Sequence, residues 1–361
     1  MFAILFLVMT IVLIAGLVYL LTRFRKLVTY VYAPDNRKGK ILSFIFAGIP
    51  LLGLTVWSIV SPYWGAIFTL HLIVFWLIFD LVALLIRVGL KKHFAEHYRA
   101  VIVVLITIAY ISVGYYLAHH VYETDYVIDT DKDVRPVRIA MIADCHVGAT
   151  FDAEGFEGYL KRIEETKPDM ILISGDFVDD DSNRADMVRC VEALGRTKTT
   201  YGVFYANGNH DKGYGNKRDF TYDDLISEFE RNNVTVLEDA VYEADDFYIV
   251  GRMDEIYEER LEVGDLMEGL DNDKFTIVLD HRPDDYDAEI SCSCDLVLSG
   301  HTHGGQLFPL GQFAVLFGIN DQNYGISKRG NTTFIVTSGL GDWAIPYKTF
   351  CISEYCVIDV K

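Results

Sequence analysis

Four apolar runs, each about 20 residues long, occupy the first third of the chain. They are Met1 to Leu21, Ile41 to Val60, Ala66 to Ile86 and Ala100 to Ala118. A helix of that length crosses the roughly 30 Å of a bilayer's hydrocarbon core, and four such runs in series without amphipathic periodicity are not typical of buried core helices. The first run lacks the basic start and small-residue cleavage site of a removable signal peptide. The sequence therefore predicts four membrane-spanning helices.

Basic residues are confined to two of the three loops between these runs. They are Arg23, Arg25, Lys26, Arg37, Lys38 and Lys40 in the first loop, and Arg87, Lys91, Lys92 and Arg99 in the third. The middle turn, Ser61-Pro62-Tyr63-Trp64, carries no charge. Because basic loops tend to stay in the cytoplasm, we expect a multi-pass protein of the cell membrane whose chain after His119 lies on the extracytoplasmic side.

The remainder of the 361-residue chain has a different composition. The net charge is −19, yet residues 1–119 hold 10 Lys and Arg against 3 Asp and Glu, so residues 120–361 carry a net −26. We therefore expect a membrane domain over 1–119, a linker over 120–135 and a second domain over 136–361, which is long enough for one large hydrophobic core. So acidic a domain would repel long nucleic acids, and we exclude them as partners.

Six cysteines are too few for a disulfide scaffold, and they lack the paired CxxC spacing of a zinc ribbon. Cys292 with Cys294, or Cys351 with Cys356, could pair in an oxidising compartment. Free thiols are the other interpretation, and the sequence leaves both open.

Beyond residue 135, short apolar runs alternate with helical patterns, as in layered α/β domains. Six runs read as strands: Val137 to Ala143, Met170 to Ser174, Tyr201 to Ala206, Phe275 to Leu279, Asp295 to Ser299 and Phe334 to Thr337. Each of the first five is followed by carboxylate, imidazole or carboxamide side chains. In open α/β sheets, ligands bind beyond the carboxyl ends of the strands, so we expect these side chains to converge on one site.

The five strand ends supply seven candidate metal ligands. They are Asp144, His146, Asp176, Asn209, His281, His301 and His303. This mixture of oxygen and nitrogen donors suits manganese, iron or zinc better than calcium or magnesium, and seven donors exceed the needs of one ion. One such block alone would be a weak signal, but five in order, each after a predicted strand, predict a metal centre.

The chain resembles the calcineurin-like metallophosphoesterase superfamily in five blocks: Asp144-x-His146, Gly175-Asp176, Gly208-Asn209-His210-Asp211, His281 and Gly300-His301-x-His303. Two further strings are most similar to its membrane-associated YkuE-like branch, namely residues 299–306 and Ser338-Gly339-Leu340-Gly341. The resemblance runs from about Pro136 to Val360, and it does not cover the membrane segment.

The resemblance implies a four-layer α/β/β/α sandwich with two divalent transition-metal ions. The first ion would be held by Asp144, His146, Asp176 and His303, and the second by Asp176, Asn209, His281 and His301, with Asp176 bridging. His210 would be the general acid beside the leaving group, with Asp211 available to orient it. Two close ions can lower the pKa of a shared water, which implies hydrolysis of a phosphate mono-, di- or pyrophosphate ester by a metal-bridging hydroxide.

Two positions depart from the family pattern. Cys145 replaces the aliphatic or small residue that is usual between the first two ligands, which suits a small buried apolar side chain. Ser338 stands where an arginine often precedes the Gly-Leu-Gly string, so the phosphate contacts of that loop are unassigned.

Two other classes of function fit parts of the sequence. The site could be a catalytically retired metal-binding scaffold of a membrane complex, although such domains tend to lose ligands or the acid, and both are present here. The helices could instead form a channel or transporter, although they show no obvious inverted repeat. The substrate stays open between a lipid-linked phosphate in the bilayer and a soluble phosphodiester or nucleotide.

Overall fold

The computed structural model describes residues 2–32, 36–92, 95–215, 217–257 and 260–361, with side chains described from residue 11 onward except that of Tyr32. The chain divides into two compact units, Met1–Val113 and Gly114–Lys361.

Long helices make up the first unit. They are α1 (Phe2–Tyr32), α2 (Arg37–Val60), α3 (Pro62–Leu90) and most of α4 (Glu96–His119). The Asn36 side chain caps α2 by accepting a hydrogen bond from the Gly39 N–H, and Pro62 occupies the first turn of α3, where its missing N–H costs little.

Among the described residues, α2, α3 and α4 are long and apolar enough to cross a membrane. The predicted first span, Met1 to Leu21, falls in α1, but Met1 and the side chains of residues 2–10 lie outside the described part of the chain. Three candidate spans are therefore found, and the fourth stays a prediction.

One polar cluster lies among the apolar side chains of the first unit. The Asp80 carboxylate accepts hydrogen bonds from the Tyr19 hydroxyl at 2.5 Å and from Arg99 at 2.9 Å, and it also pairs with Arg23. These three partners satisfy a carboxylate that would otherwise be costly within an apolar segment.

Two six-stranded sheets form the second unit. The first sheet has the order β1-β12-β2-β3-β4-β5, with β1 (Val121–Ile128), β2 (Val137–Ile142), β3 (Met170–Ser174), β4 (Gly202–Ala206), β5 (Val234–Val236) and β12 (Ser353–Val360). The second has the order β10-β11-β9-β8-β7-β6, with β6 (Ala240–Glu243), β7 (Phe247–Gly251), β8 (Phe275–Leu279), β9 (Leu296–Ser299), β10 (Gly325–Arg329) and β11 (Thr332–Val336). Strands β2, β3 and β4 run parallel, as do β7, β8 and β9, so within each sheet their carboxyl ends share an edge.

Besides the end of α4, the described residues of the second unit form six α-helices and one short 3-10 helix. They are α5 (Ala153–Glu165), α6 (Arg184–Arg196), α7 (Tyr222–Arg231), α8 (Val263–Met267), α9 (Tyr286–Ser291), α10 (Leu310–Leu316) and the 3-10 helix His303–Gly305. A capping box begins α7, because the side chains of Thr221 and Asp224 each accept a hydrogen bond from the backbone N–H of the other residue.

Three clusters of buried apolar side chains stabilise these elements. One joins α5 and α6 to the first sheet through residues such as Phe156, Leu194 and Ile171. A second, between the two sheets, includes Met141, Leu172, Ile277 and Leu298. The third joins α8 and α9 to the second sheet through Leu266, Tyr286, Val278 and Phe334. Close packing of these apolar side chains therefore fixes both sets of parallel strands, and with them the positions of their carboxyl ends.

The stretch expected to be a linker, 120–135, contains strand β1. This strand pairs in parallel with β12, from Val121 opposite Ser353 to Ile128 opposite Val360. Its interior residues alternate between half-buried and exposed, as expected of an edge strand, and only its two ends are fully buried. The six cysteines are all free thiols.

Candidate metal centre

Acidic and imidazole side chains gather in three groups at these strand ends, two of which share His146. The groups are Asp144 with His146 and His303, Asp176 with His281 and His301, and His146 with Asp179 and His210. In each group the potential ligand atoms all lie within 4.8 Å of one another. Strands that are far apart in the sequence therefore deliver donors to one place, as expected from the strand ends.

The first group forms just beyond β2. The Nε2 atom of His303 lies 3.2 Å from Nε2 of His146 and 3.5 Å from an Asp144 carboxylate oxygen. All three residues are buried. Their donor atoms point at one another with little access to solvent, which is how a cation site is arranged.

The second group forms where β3 and β8 end. Nε2 of His281 lies 3.1 Å from Oδ2 of Asp176, and the same carboxylate oxygen is 3.7 Å from Nε2 of His146. Nδ1 of His281 lies 2.9 Å from the Ser174 carbonyl oxygen. Because a carbonyl only accepts, Nδ1 carries a proton, so Nε2 is the nitrogen that would bind a metal ion in the neutral imidazole. Asp176 is thus shared between the two groups.

Asn209 supplies an additional oxygen. Its side chain is buried, its Nδ2 donates to the Tyr214 hydroxyl at 2.7 Å, and its Oδ1 has no hydrogen-bond partner among the described residues. A buried carbonyl oxygen without a partner is costly, and coordination of a metal ion would satisfy it.

Glycines allow the close approach of backbone to these carboxylates. A Cβ atom on Gly208 would clash with Oδ1 of Asp176, and one on Gly300 would clash with Oδ2 of Asp144. Five site residues also adopt the left-handed backbone region that non-glycine residues rarely occupy: Asp144, His146, Asp176, His301 and His303. Such strain is characteristic of functional sites whose surroundings fix the geometry.

Two further carboxylates contact the imidazoles at their Nδ1 atoms. Asp179 lies 3.2 Å from Nδ1 of His146 and 3.3 Å from Nδ1 of His210. Asp342 lies 3.3 Å from Nδ1 of His303, and its charge is matched by the buried Lys348 ammonium at 3.4 Å. A carboxylate in this position fixes the tautomer and raises the basicity of a ligating imidazole.

Asp211, expected to orient His210, is engaged elsewhere. One of its carboxylate oxygens accepts hydrogen bonds from the backbone N–H groups of Asp176 and Gly208, and the other from that of Val178. It therefore fixes the loops that carry Asp176 and Asn209. The carboxylate beside the His210 ring is Asp179.

Negative charge dominates the electrostatics of the second group. Burial alone would lower the pKa of His281, but Asp176 raises the pKa of this imidazole to about 10. Burial would likewise raise the pKa of Asp176, but the histidines around it, His281 first, hold that pKa well below its usual range. Burial, followed by the charges of His281 and Arg282, lowers the pKa of His301. Asp176 therefore stays ionised, and its negative charge favours positive charge beside it, as a bound cation would supply.

The site opens at His210. Its ring lies 5.0 Å from that of Tyr214 and 5.1 Å from that of Trp343, and both aromatic side chains are substantially exposed. Arg282, next to His281 in the chain, is held by the buried Asp254 carboxylate at 2.7 and 3.1 Å. Tyr214, Trp343 and Arg282 are therefore the aromatic and cationic side chains beside the candidate donors.

Sequence reasoning did not find Asp179, Asp342 or Lys348. Asp179 is the first of three consecutive aspartates, and the spacing of three residues after Asp176 was the available signal. Asp342 and Lys348 lie beyond the last predicted strand and act only through tertiary contacts, so no local pattern marks them.

The sequence profile of the calcineurin-like phosphoesterase family matches residues 137–305. The second unit therefore contains a calcineurin-like phosphoesterase domain over residues 137–305, and the chain is similar to proteins named as metallophosphoesterases. The ligand groups described above fall within the matched range.

Several relatives are similar over about 60% of the chain. The chain is 30% identical over 230 residues to an uncharacterized metallophosphoesterase of Helicobacter pylori, covering 62% of this chain and 60% of that protein. It is 27% identical over 227 residues to a Bos taurus transmembrane protein with metallophosphoesterase domain (59% and 50% covered) and 26% identical over 235 residues to the uncharacterized metallophosphoesterase YkuE of Bacillus subtilis (62% and 79% covered). The chain thus spans about 60% of the length of the first of these relatives. The apolar helices and the transmembrane relatives together indicate a membrane protein.

Proposed function

We propose that this protein is a membrane-anchored phosphoesterase that hydrolyses a phosphate mono-, di- or pyrophosphate ester with the help of two divalent metal ions. The observation that carries the proposal is the position of Asp176, whose Oδ2 lies 3.1 Å from His281 and 3.7 Å from His146. A carboxylate shared in this way is suited to bridge two ions, and the domain would be the four-layer α/β/β/α sandwich of its family.

The ligands of the two ions follow from the groups at the strand ends. Asp144, His146, Asp176 and His303 would hold one ion, and Asp176, Asn209, His281 and His301 the other. The shared mixture of imidazole and oxygen donors favours manganese, iron or zinc. Bound ions of this kind supply Lewis acidity toward phosphoryl oxygens and lower the pKa of water.

The protein's own groups complete the reaction. His210, at the opening of the site, gives a proton to the departing alkoxide, and Asp179 holds the imidazole through Nδ1 so that Nε2 faces the substrate. Arg282 adds positive charge on the side of His281 and His301.

Anchoring would be by four helices, with the catalytic domain on the extracytoplasmic side. This orientation rests on the basic residues of the two predicted cytoplasmic loops. A site at the membrane surface could take lipid-linked phosphates as well as soluble esters.

Hydrolysis by the purified full-length protein tests the proposal. We expect manganese-dependent release of phosphate or alcohol from at least one class in a panel of phosphate monoesters, diesters and lipid pyrophosphates. Activity should disappear on chelation and return with added metal. Two tightly bound equivalents of metal without hydrolysis of any panel member would favour the scaffold function instead.

A further inference from the structure

A large apolar surface lies immediately after the segment that carries His301 and His303. We name it the α10 patch, and it consists of Phe308, Phe313, Leu316, Phe317, Ile319 and Phe350. Leu316, Phe317 and Phe350 are each more than 70% exposed. Contiguous exposed apolar surface of this kind marks a site of interaction with a protein or a membrane.

The α10 patch is free of charge. Residues 307–319 contain no Asp, Glu, Lys or Arg, although the chain from residue 120 onward has a net charge of −26. Gln312 is the one strongly polar side chain in this run. An uncharged apolar strip in so acidic a domain fits a partner that is itself apolar, and it does not require an anionic or cationic surface.

Hydrogen bonds join the two segments that form the patch. The Phe308 N–H donates to Oγ1 of Thr349 at 2.7 Å, and the Thr349 N–H donates to the Gln306 carbonyl at 2.7 Å. The rings of Phe308 and Phe350 lie 4.6 Å apart. The apolar side chains are therefore held outward by ordered backbone, so their exposure is built into the fold.

Residues 348–353, the second of these segments, contact the end of α4. The residues of α4 from Gly114 onward belong to the second unit. The Lys348 N–H donates to the Gly114 carbonyl at 2.9 Å, and Oγ of Ser353 donates to the Ala118 carbonyl at 2.9 Å. Helix α4 is a candidate membrane span. Residues 348–353, which include Phe350, are thus in contact with the point where a spanning helix would leave the bilayer.

We propose that the α10 patch docks onto the surface of the bilayer in which α4 is embedded. Its aromatic and aliphatic side chains lie at the boundary between headgroups and acyl chains, as in other interfacial segments. Because the patch carries no charge, docking needs apolar burial alone and does not require anionic lipids. This inference does not depend on whether the metal centre hydrolyses phosphate esters.

The test uses the full chain in phosphatidylcholine nanodiscs that hold one copy each. A nitroxide spin label is placed at Leu316→Cys, and its collisions with oxygen, which is enriched in lipid, are compared with those with a water-soluble nickel chelate. The matched control is Lys161→Cys on the exposed face of α5. Five of the native cysteines are buried and Cys292 is half-buried, so the engineered thiols are the most accessible ones.

We expect the label at position 316 to favour oxygen over the nickel chelate and the label at 161 to do the reverse. Adding Phe317→Glu to the Leu316→Cys chain should shift that label toward the nickel chelate, since a charge opposes burial in lipid. Equal water exposure at 316 and 161 would overturn the proposal. Protection of the 316 label only when two copies share one disc would also overturn it, because a second copy would then be the partner.

Discussion

Asp179 stands between His146 and His210, with one carboxylate oxygen 3.2 Å from Nδ1 of the first and the other 3.3 Å from Nδ1 of the second. One buried side chain therefore connects a candidate metal ligand with the candidate general acid. Burial would raise the pKa of Asp179, but the two histidines hold it below the usual range, so the carboxylate stays ionised.

Replacing this carboxylate should affect both neighbours. We expect Asp179→Asn to lower metal affinity or hydrolytic rate about 10- to 100-fold, the usual effect of removing a partner of a ligating histidine. Hydrolysis assays over a metal titration would measure it. The exposed Asp181 offers a control. An equal loss in Asp181→Asn would mean that the negative charge of the loop matters rather than the contact of Asp179 with the two histidines.

His210 should be separable from the metal ligands. His210→Ala removes a proton donor, so the rate on esters with poor alkoxide leaving groups should fall about 100-fold or more. Hydrolysis of p-nitrophenyl esters should be much less impaired, because that leaving group is stable without a proton. Asn209→Ala should slow both substrate types alike by weakening one ion. Equal slowing of both types in His210→Ala, with metal retained, would instead assign His210 to positioning of the phosphate.

Metal content provides a measurement that is independent of activity. If Asp176 bridges two ions, elemental analysis of the wild-type protein should approach two transition-metal equivalents, and Asp176→Ala should lose both together. Asp181→Ala should keep both. A tightly retained single ion in Asp176→Ala would contradict the bridging role.

The convergence of the candidate donors was predictable because they follow strands that are easy to recognise. Met170–Ser174 and Phe275–Leu279 have the predicted bounds, since each is a continuous apolar run ended by a polar residue or turn. Strand β1 was not predicted, because Val121–Ile128 mixes apolar, polar and acidic residues and lies at the edge of its sheet. Sequence spacing also could not assign Asp179 rather than Asp211 to His210, since the choice depends on which loop folds over the ring.

The stability of the second unit should depend on the protonation of Asp284. Burial, with the nearby charges of Glu255 and Asp280, raises the pKa of this carboxyl from 3.8 to about 6. The folded state thus binds the proton more tightly than the unfolded state, so the stabilisation is present below about pH 4 and is lost as the pH rises through 6. Asp284→Asn should raise the unfolding temperature at pH 7.5 and have little effect near pH 4.5.

Thermal unfolding of the full-length protein across this pH range would measure the effect. Asp287→Asn, a change at an exposed position on α9, serves as the matched control. A gain in Asp284→Asn that is the same at both pH values would show that the carboxyl is not titrating in this window.

Topology can be tested with thiol labelling in intact cells. An impermeant maleimide should label Lys161→Cys without lysis if the second unit is extracytoplasmic, whereas Lys91→Cys, in a predicted cytoplasmic loop, should need lysis. The reverse pattern would invert the orientation and make cytoplasmic phosphate esters the candidate substrates.

The position of β12 determines when the first sheet can be completed. β12 lies between β1 and β2, yet it is the last strand along the described chain, and the Tyr355 hydroxyl donates to Glu123, 232 positions earlier. During synthesis β1 emerges first, and it cannot pair with β12 until nearly the whole domain has been translated. Pairing over so long a loop is intrinsically slow, and the unpaired edges of β1 and β2 remain open to incorrect partners meanwhile. The first sheet therefore cannot close before Ser353–Val360 has been synthesised.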